Sequence, residues 1–175
     1  MTHYFKQWLI SLKHYVLMCL FVSAPDRLPG GLHSILISAF CYFVIGLSLV
    51  DEQRSYATIA AQIGIELALL MLVIYTGLKL KNILSRLAQS FSAMLGVNMV
   101  ISAISIPVYH ALTEDYTNDG EINRTVLNVT LLIVFWNLAV MSLILKRALN
   151  INTLMAAMIS FNYFMIYQFL IAWLF

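Results

Sequence analysis

The sequence predicts an all-α polytopic membrane protein, and three observations point to this class. Hydrophobic residues make up 62% of the 175-residue chain, charged residues only 10%, and the mean hydropathy is +0.88. Soluble domains have about 45–50% apolar and about 25% charged residues, so this chain lacks the polar groups for a hydrated surface. Because unpaired backbone groups are too costly in lipid and no alternating barrel pattern is present, the spans are predicted to be helices.

Five segments are long enough to cross a membrane. A hydrocarbon core of about 30 Å requires roughly 20 apolar residues in a helix. Charged or turn residues separate the five segments, as at 51–54, 79–86 and 113–124. The predicted transmembrane domain covers residues 25–175, with spans at about 31–50, 57–78, 88–110, 126–145 and 152–175.

Residues 1–24 are predicted to form an amphipathic helix at the cytoplasmic membrane interface. Apolar side chains recur there at three- and four-residue spacing, and polar side chains fill the other side. The apolar positions are Phe5, Trp8, Leu9, Leu12, Tyr15, Val16 and Cys19. The break SAPDRLPGG, at residues 23–31, then turns the chain into the first span. A sixth span beginning near residue 15 would be too short before Pro25.

The basic residues predict the orientation of the chain. Cytoplasmic loops carry an excess of Lys and Arg. A cytoplasmic N-terminus places eight basic residues inside and leaves two outside, Arg54 and Arg124; the eight are Lys6, Lys13, Arg27, Lys79, Lys81, Arg86, Lys146 and Arg147. We therefore expect a multi-pass protein of the cell membrane, the inner membrane in a bacterium, with an extracytoplasmic C-terminus at Phe175.

The five-span plan, with a cytoplasmic N-terminal segment and almost no C-terminal tail, resembles the Yip1-like family of small membrane proteins. The basic stretch KLKNILSRLAQSFSAMLG, residues 79–96, which enters the third span, is similar to what that family would have there. The Asp-Leu-Tyr-Gly-Pro and Gly-Tyr signatures of the eukaryotic members are missing. The resemblance therefore implies a shape, and it does not bring the trafficking role of those members with it.

Glu66 is the one carboxylate in the middle of a predicted span. It lies nine residues from the outer end of span two, about 13–14 Å at 1.5 Å per residue. Small residues fill the opposite face of that span and would let a neighbouring helix approach closely; they are Ala57, Ala60, Ala61, Gly64 and Ala68. Span two is therefore expected to be a central helix, packed on both sides.

Most other spans carry a polar side chain at the depth of Glu66. The sequence predicts an intramembrane polar layer formed by Gln62, Glu66, Asn98, Ser102, Asn137, Asn162 and Gln168, with Cys41 and Tyr42 at the same depth on span one. Trp136 also lies well inside its span, where its indole N–H requires an acceptor.

Two interpretations of this layer stay open at the level of sequence. In the structural one, a protonated Glu66 and its neighbours hydrogen-bond across helices and fix the packing. In the functional one, Glu66 serves a proton or cation relay, because intramembrane carboxylates are usually functional. The sequence has no internal repeat and no pair of broken helices, and their absence favours the structural interpretation.

No catalytic motif or cofactor motif is present. Loop 115–126 matches several EF-hand positions, but Val126 stands where calcium binding requires a bidentate Glu, so no metal site is predicted. Lys79, Lys81 and Arg86 form a basic patch at the cytoplasmic membrane surface. The expected function is a non-catalytic scaffold or accessory subunit whose partners are the lipid bilayer and other membrane proteins or a second copy, with no nucleic acid. The alternative is a small proton- or cation-coupled transporter or channel component that uses Glu66.

Overall fold

The structure, a computed structural model, describes residues 2–28, 32–48, 55–118 and 123–175. Over these ranges the chain is helical, apart from short turns and connections. The helices are α1 (Thr2–Cys19), α2 (Leu32–Leu47), α3 (Tyr56–Leu80), α4 (Leu87–Asn118), α5 (Arg124–Leu149) and α6 (Thr153–Leu174). Single turns of 3₁₀ helix precede α2 at Pro25–Arg27 and α4 at Leu84–Arg86.

Four of these helices are long and apolar enough to cross a membrane: α3, α4, α5 and α6. The prediction of a helical, multi-pass membrane protein is confirmed at this level. The first predicted span, 31–50, corresponds to α2, which has 16 residues and extends about 24 Å at 1.5 Å per residue. Its described part is therefore shorter than the roughly 30 Å hydrocarbon core.

Side-chain caps and a left-handed residue explain where the long helices begin and end. The side chains of Ser55, Asn123 and Asn152 each accept a hydrogen bond from a backbone N–H in the first turn of α3, α5 and α6. Asn150 has φ 50° and ends α5, three residues before α6 begins at Thr153. So short a connection makes α5 and α6 antiparallel neighbours.

The central helix of the bundle is α4. Every side chain from Ser92 to Met99 is buried, and α4 contacts α1, α2, α3 and α5. The expectation that the second predicted span is central and packed on both sides is wrong. Helix α3 packs through one stripe, Ile59, Ile63, Leu70, Ile74 and Leu78. The small residues Ala57, Ala61, Gly64 and Ala68 on its other side are exposed.

Helix α1 packs into the bundle through a side that carries polar groups. Ser11, Tyr15 and Met18 are buried, whereas Leu9 and Val16 of the predicted apolar stripe are exposed. The buried side of α1 is therefore rotated from the side that hydropathy predicts.

Three hydrogen bonds hold the buried side of α1 in place. The Tyr15 and Ser92 hydroxyl oxygens lie 2.7 Å apart, and Ser38 donates to Tyr15 at 3.3 Å, so α1, α2 and α4 are joined at one hydroxyl. The indole of Trp136 donates to the Cys19 carbonyl at 2.9 Å. This bond supplies the acceptor that Trp136 was expected to require, and it satisfies a carbonyl at the end of α1.

The contact of Tyr15 with Gly96 leads to a first prediction. A Cβ at Gly96 would come within 2.4 Å of the Tyr15 ring, whereas a Cβ at Gly64 would meet nothing within 4 Å. Both glycines are helical, so alanine improves helix propensity equally at each position. We expect Gly96→Ala to lower the stability of the purified protein by about 1–3 kcal/mol relative to Gly64→Ala because of overpacking. The measurement is thermal unfolding in mild detergent; equal melting temperatures would show that α1 does not pack against α4 in this way.

Candidate functional site

Glu66 lies on the packed stripe of α3, between Ile63 and Leu70, and it is partly buried. The Tyr42 hydroxyl of α2 donates a hydrogen bond to its Oε2 atom at 2.6 Å. The bond joins α2 to α3 through one oxygen of the carboxylate.

A cavity of about 220 Å³, which we call the middle cavity, lies on the Tyr42 side of Glu66. Helices α2, α3, α4 and α6 line it. Its polar side chains are Tyr42, Gln62, Glu66, Ser102, Tyr109 and Tyr167. The residues that line it include no Lys, Arg or His.

A second cavity of about 130 Å³, the inner cavity, shares Glu66 and Tyr167 with the middle cavity. Its other polar side chains come from α4, α5 and α6 and are Asn98, Asn137 and Tyr163. The Oδ1 atoms of Asn98 and Asn137 and the hydroxyl of Tyr163 are buried without a hydrogen-bond partner. Because buried polar atoms are nearly always partnered, these three atoms are the ones whose hydrogen-bonding capacity the side chains of the site leave unused.

A third cavity of about 440 Å³, the far-end cavity, lies between the first turns of α3 and the last turns of α6. Its polar side chains are Ser55, Thr58, Gln62 and Gln168. Gln62 also lines the middle cavity. The three cavities therefore follow one another through shared residues from the Ser55 end of the bundle to Asn98.

The structure brings together five of the seven residues predicted to form the polar layer: Gln62, Glu66, Asn98, Ser102 and Asn137 line the middle or inner cavity. Gln168 is exposed and lines the far-end cavity only. Asn162 does not join them. It is exposed, and its amide donates to the Met158 carbonyl of its own helix at 2.9 Å.

Four tyrosines of the site are missing from the predicted layer: Tyr42, Tyr109, Tyr163 and Tyr167. Tyr42 stood at the predicted depth but was not selected, although it is the direct partner of Glu66. Tyr163 and Tyr167 are one helical turn apart on α6, so they share a face, and Asn162 lies on a different one. Helix-face geometry on α6 would have selected them instead of Asn162.

The predicted basic patch lies at the opposite end of the bundle. Lys79, Lys81 and Arg86 are exposed, and the Lys79 ammonium lies 5.6 Å from the centre of the Tyr75 ring. A cavity of about 370 Å³ there is lined by both Arg86 and Arg147. Arg147 also donates to the Ser23 carbonyl, which ties the chain after α1 to the end of α5.

Metal sites built from His, Cys, Asp and Glu are not seen in the described part of the chain, where no three such side chains come together. Residues 119–122 of the EF-hand-like loop lie outside the described residues.

Comparison with known proteins gave no match to a family model, to a curated protein or to a solved structure. The site is therefore interpreted from its own geometry.

The hydrogen bond between Tyr42 and Glu66 can be tested directly. Tyr42→Phe removes only the donating hydroxyl, and bonds of this kind within membranes contribute about 0.6 kcal/mol on average and at most about 1.7 kcal/mol. We expect a loss of stability in that range in equilibrium unfolding in mixed detergent micelles. In the Glu66→Leu background, which lacks the acceptor, Tyr42→Phe should lower the stability measurably less than it does in the parent protein. Tyr56→Phe, at an exposed position of α3, is the matched control, and an equal loss there would argue against the bond.

Proposed function

We propose that the protein is an integral protein of the cell membrane that binds a proton or a small cation at Glu66. The observation that carries the proposal is the inner cavity. It is lined by the carboxylate of Glu66 and by three residues, each of which has a buried oxygen atom without a hydrogen-bond partner. A purely structural polar layer would satisfy its members by bonding them to one another. These atoms point to an occupant that the side chains do not supply.

The absence of basic side chains around Glu66 supports this function. The titratable groups that line the two cavities with Glu66 are tyrosines only, from α2, α4 and α6: Tyr42, Tyr109, Tyr163 and Tyr167. A charged carboxylate at the centre of a bilayer costs roughly 2.5–3.5 kcal/mol on insertion scales. Since no Lys or Arg lines the site to neutralise it, a proton or an external cation has to do so.

The proposal includes a topology. Four spanning helices together with α2 give the five-span plan that the Yip1-like resemblance implies, and α1 belongs to the cytoplasmic side. Lys79, Arg86 and Arg147 lie at one end of the bundle, and Ser55 and Phe175 border the far-end cavity at the other. The excess of basic residues makes the first end cytoplasmic, so the N-terminus is inside and Phe175 is outside. Under this proposal the protein has no catalytic activity of its own.

A second candidate is the role of scaffold or accessory subunit. The exposed small residues of α3 support it, because such residues allow a second helix to approach closely within the membrane. A Cβ placed at Gly64 would meet no other atom within 4 Å. A partner helix, from another membrane protein or a second copy, would fit against this side of α3 and leave the Glu66 cavities intact.

The topology predicts the location of the C-terminus. A reporter enzyme that is active only in the periplasm should be active when it is fused after Phe175. A reporter that is active only in the cytoplasm should be inactive at the same position. A matching fusion in the connection between α3 and α4, at Asn82, should behave in the opposite way. A cytoplasmic signal from the C-terminal fusion would contradict the five-span orientation.

Substitutions of Glu66 separate a binding function from a structural one. Glu66→Gln keeps the shape and the acceptor for Tyr42 but cannot titrate or carry charge. We expect Glu66→Gln to unfold within about 0.5 kcal/mol of the parent protein and yet to fail to complement a deletion strain. Glu66→Leu should fail as well, with a loss of stability of about 1–2 kcal/mol. Complementation by Glu66→Gln at the level of the parent protein would favour the structural interpretation.

A further inference from the structure

The inner cavity is lined by side chains that carry oxygen acceptors. Asn98 is 4% exposed and Tyr163 is 6% exposed, so both are more than nine-tenths buried. The atoms without partners include the amide oxygens of Asn98 and Asn137, which are acceptors only, and the hydroxyl of Tyr163, which also accepts. Glu66 adds a carboxylate to the same cavity. Hard cations are bound by this set of carboxylate, amide and hydroxyl oxygens.

The charge of the site selects a monovalent ion. The inner cavity is lined by one carboxylate and otherwise by neutral side chains. A single positive charge neutralises Glu66, whereas a divalent ion would leave one charge uncompensated at low dielectric. Tyr42 already donates to Oε2 at 2.6 Å, and this bond orients the carboxylate without neutralising it.

We propose that the inner cavity is a binding site for a monovalent alkali cation, held by oxygen atoms of Glu66, Asn98, Asn137 and Tyr163. This inference rests on the proposed function, because both use Glu66. Helices α3, α4, α5 and α6 each supply one of the four ligands. The bound ion therefore joins four helices, and its removal loosens the contact among them.

The route to the site begins at the far-end cavity. Ser55, Thr58 and Gln168 stand at its entrance, and Gln62 connects it to the middle cavity. Glu66 and Tyr167 connect the middle cavity to the inner one. Polar side chains thus accompany an ion from the Ser55 end of the bundle to Asn98, and they replace its hydration step by step.

Ordered water is the competing occupant. A cavity of about 130 Å³ has room for about four molecules at roughly 30 Å³ each. Water would satisfy the same oxygen atoms, but its effect would not depend on which cation is in the buffer. The identity of the salt therefore distinguishes the two occupants.

The test uses the purified full-length protein in mild detergent, with Na⁺ as the probe and choline at equal ionic strength as the reference. We expect saturable binding of radioactive sodium and a melting temperature that rises with Na⁺ concentration at constant ionic strength. The same measurements with Li⁺ and K⁺ test how binding depends on the size of the ion. Tyr163→Phe and Asn98→Ala should each weaken Na⁺ binding at least about tenfold, since even second-shell partners of an ion site contribute that much. Asn162→Ala, next to Tyr163 on an exposed position, should leave binding unchanged.

The possible outcomes separate this inference from the proposed function. Absence of saturable sodium binding in the parent protein would overturn the cation site, even if Asn98→Ala fails to fold. Sodium binding that is equal in the parent protein, Tyr163→Phe and Asn98→Ala would overturn it too, because the ion would then lie elsewhere. If the cation site fails in this way while Glu66→Gln is folded and inactive, Glu66 carries a proton and the proposed function stands. If sodium has no effect and Glu66→Gln is fully active, both proposals fail.

Discussion

The hydrogen bond from Tyr42 to Glu66 is the interaction on which the candidate site depends. It joins α2 to α3 through one oxygen of the only carboxylate among the described residues of α3. By occupying Oε2, it fixes the direction in which the other carboxylate oxygen points. Both the middle and the inner cavity are bordered by Glu66, so their shapes follow from where this side chain is held. The short hydrogen bond therefore sets the geometry of a much larger polar region.

Much of the fold could be predicted from hydropathy, and the packing of the helices could not. Four predicted spans coincide with helices that are long and apolar enough to cross a membrane, because about 20 apolar residues have few other stable conformations in lipid. Which helix is central depends on the contacts between helices. In lipid, these contacts are not determined by how apolar each helix is. Helix α4 contains Ser90, Ser92 and Asn98 and is nevertheless the most buried, whereas the small residues of α3 are exposed. Small residues permit close packing but do not show that a partner is present.

The residues of the site were predicted from their depth in the membrane. The position of a residue on a helix also includes its direction around the helix axis, which depth does not give. Depth grouped Glu66 with Asn98 and Asn137, which line one cavity in the structure. It failed on α6, where Asn162 has the right depth but faces outward and bonds to its own backbone. The rotation of each helix is set by its neighbours, as α1 illustrates through the Tyr15 bond to Ser92 and the contact with Gly96. A single sequence carries little information about such rotations when every face of a helix is apolar.

The described residues line a series of three cavities that share residues with one another. It begins beside Ser55 and ends at Asn98, in the middle of the stretch Ser92–Met99, where every side chain is buried. On the basic side of that stretch, the ring of Tyr15 covers Gly96 and closes the space between α1 and α4. A solute that enters from the Ser55 end therefore meets the packed stretch of α4 at Asn98. Passage beyond this stretch would require α1 to move away from α4.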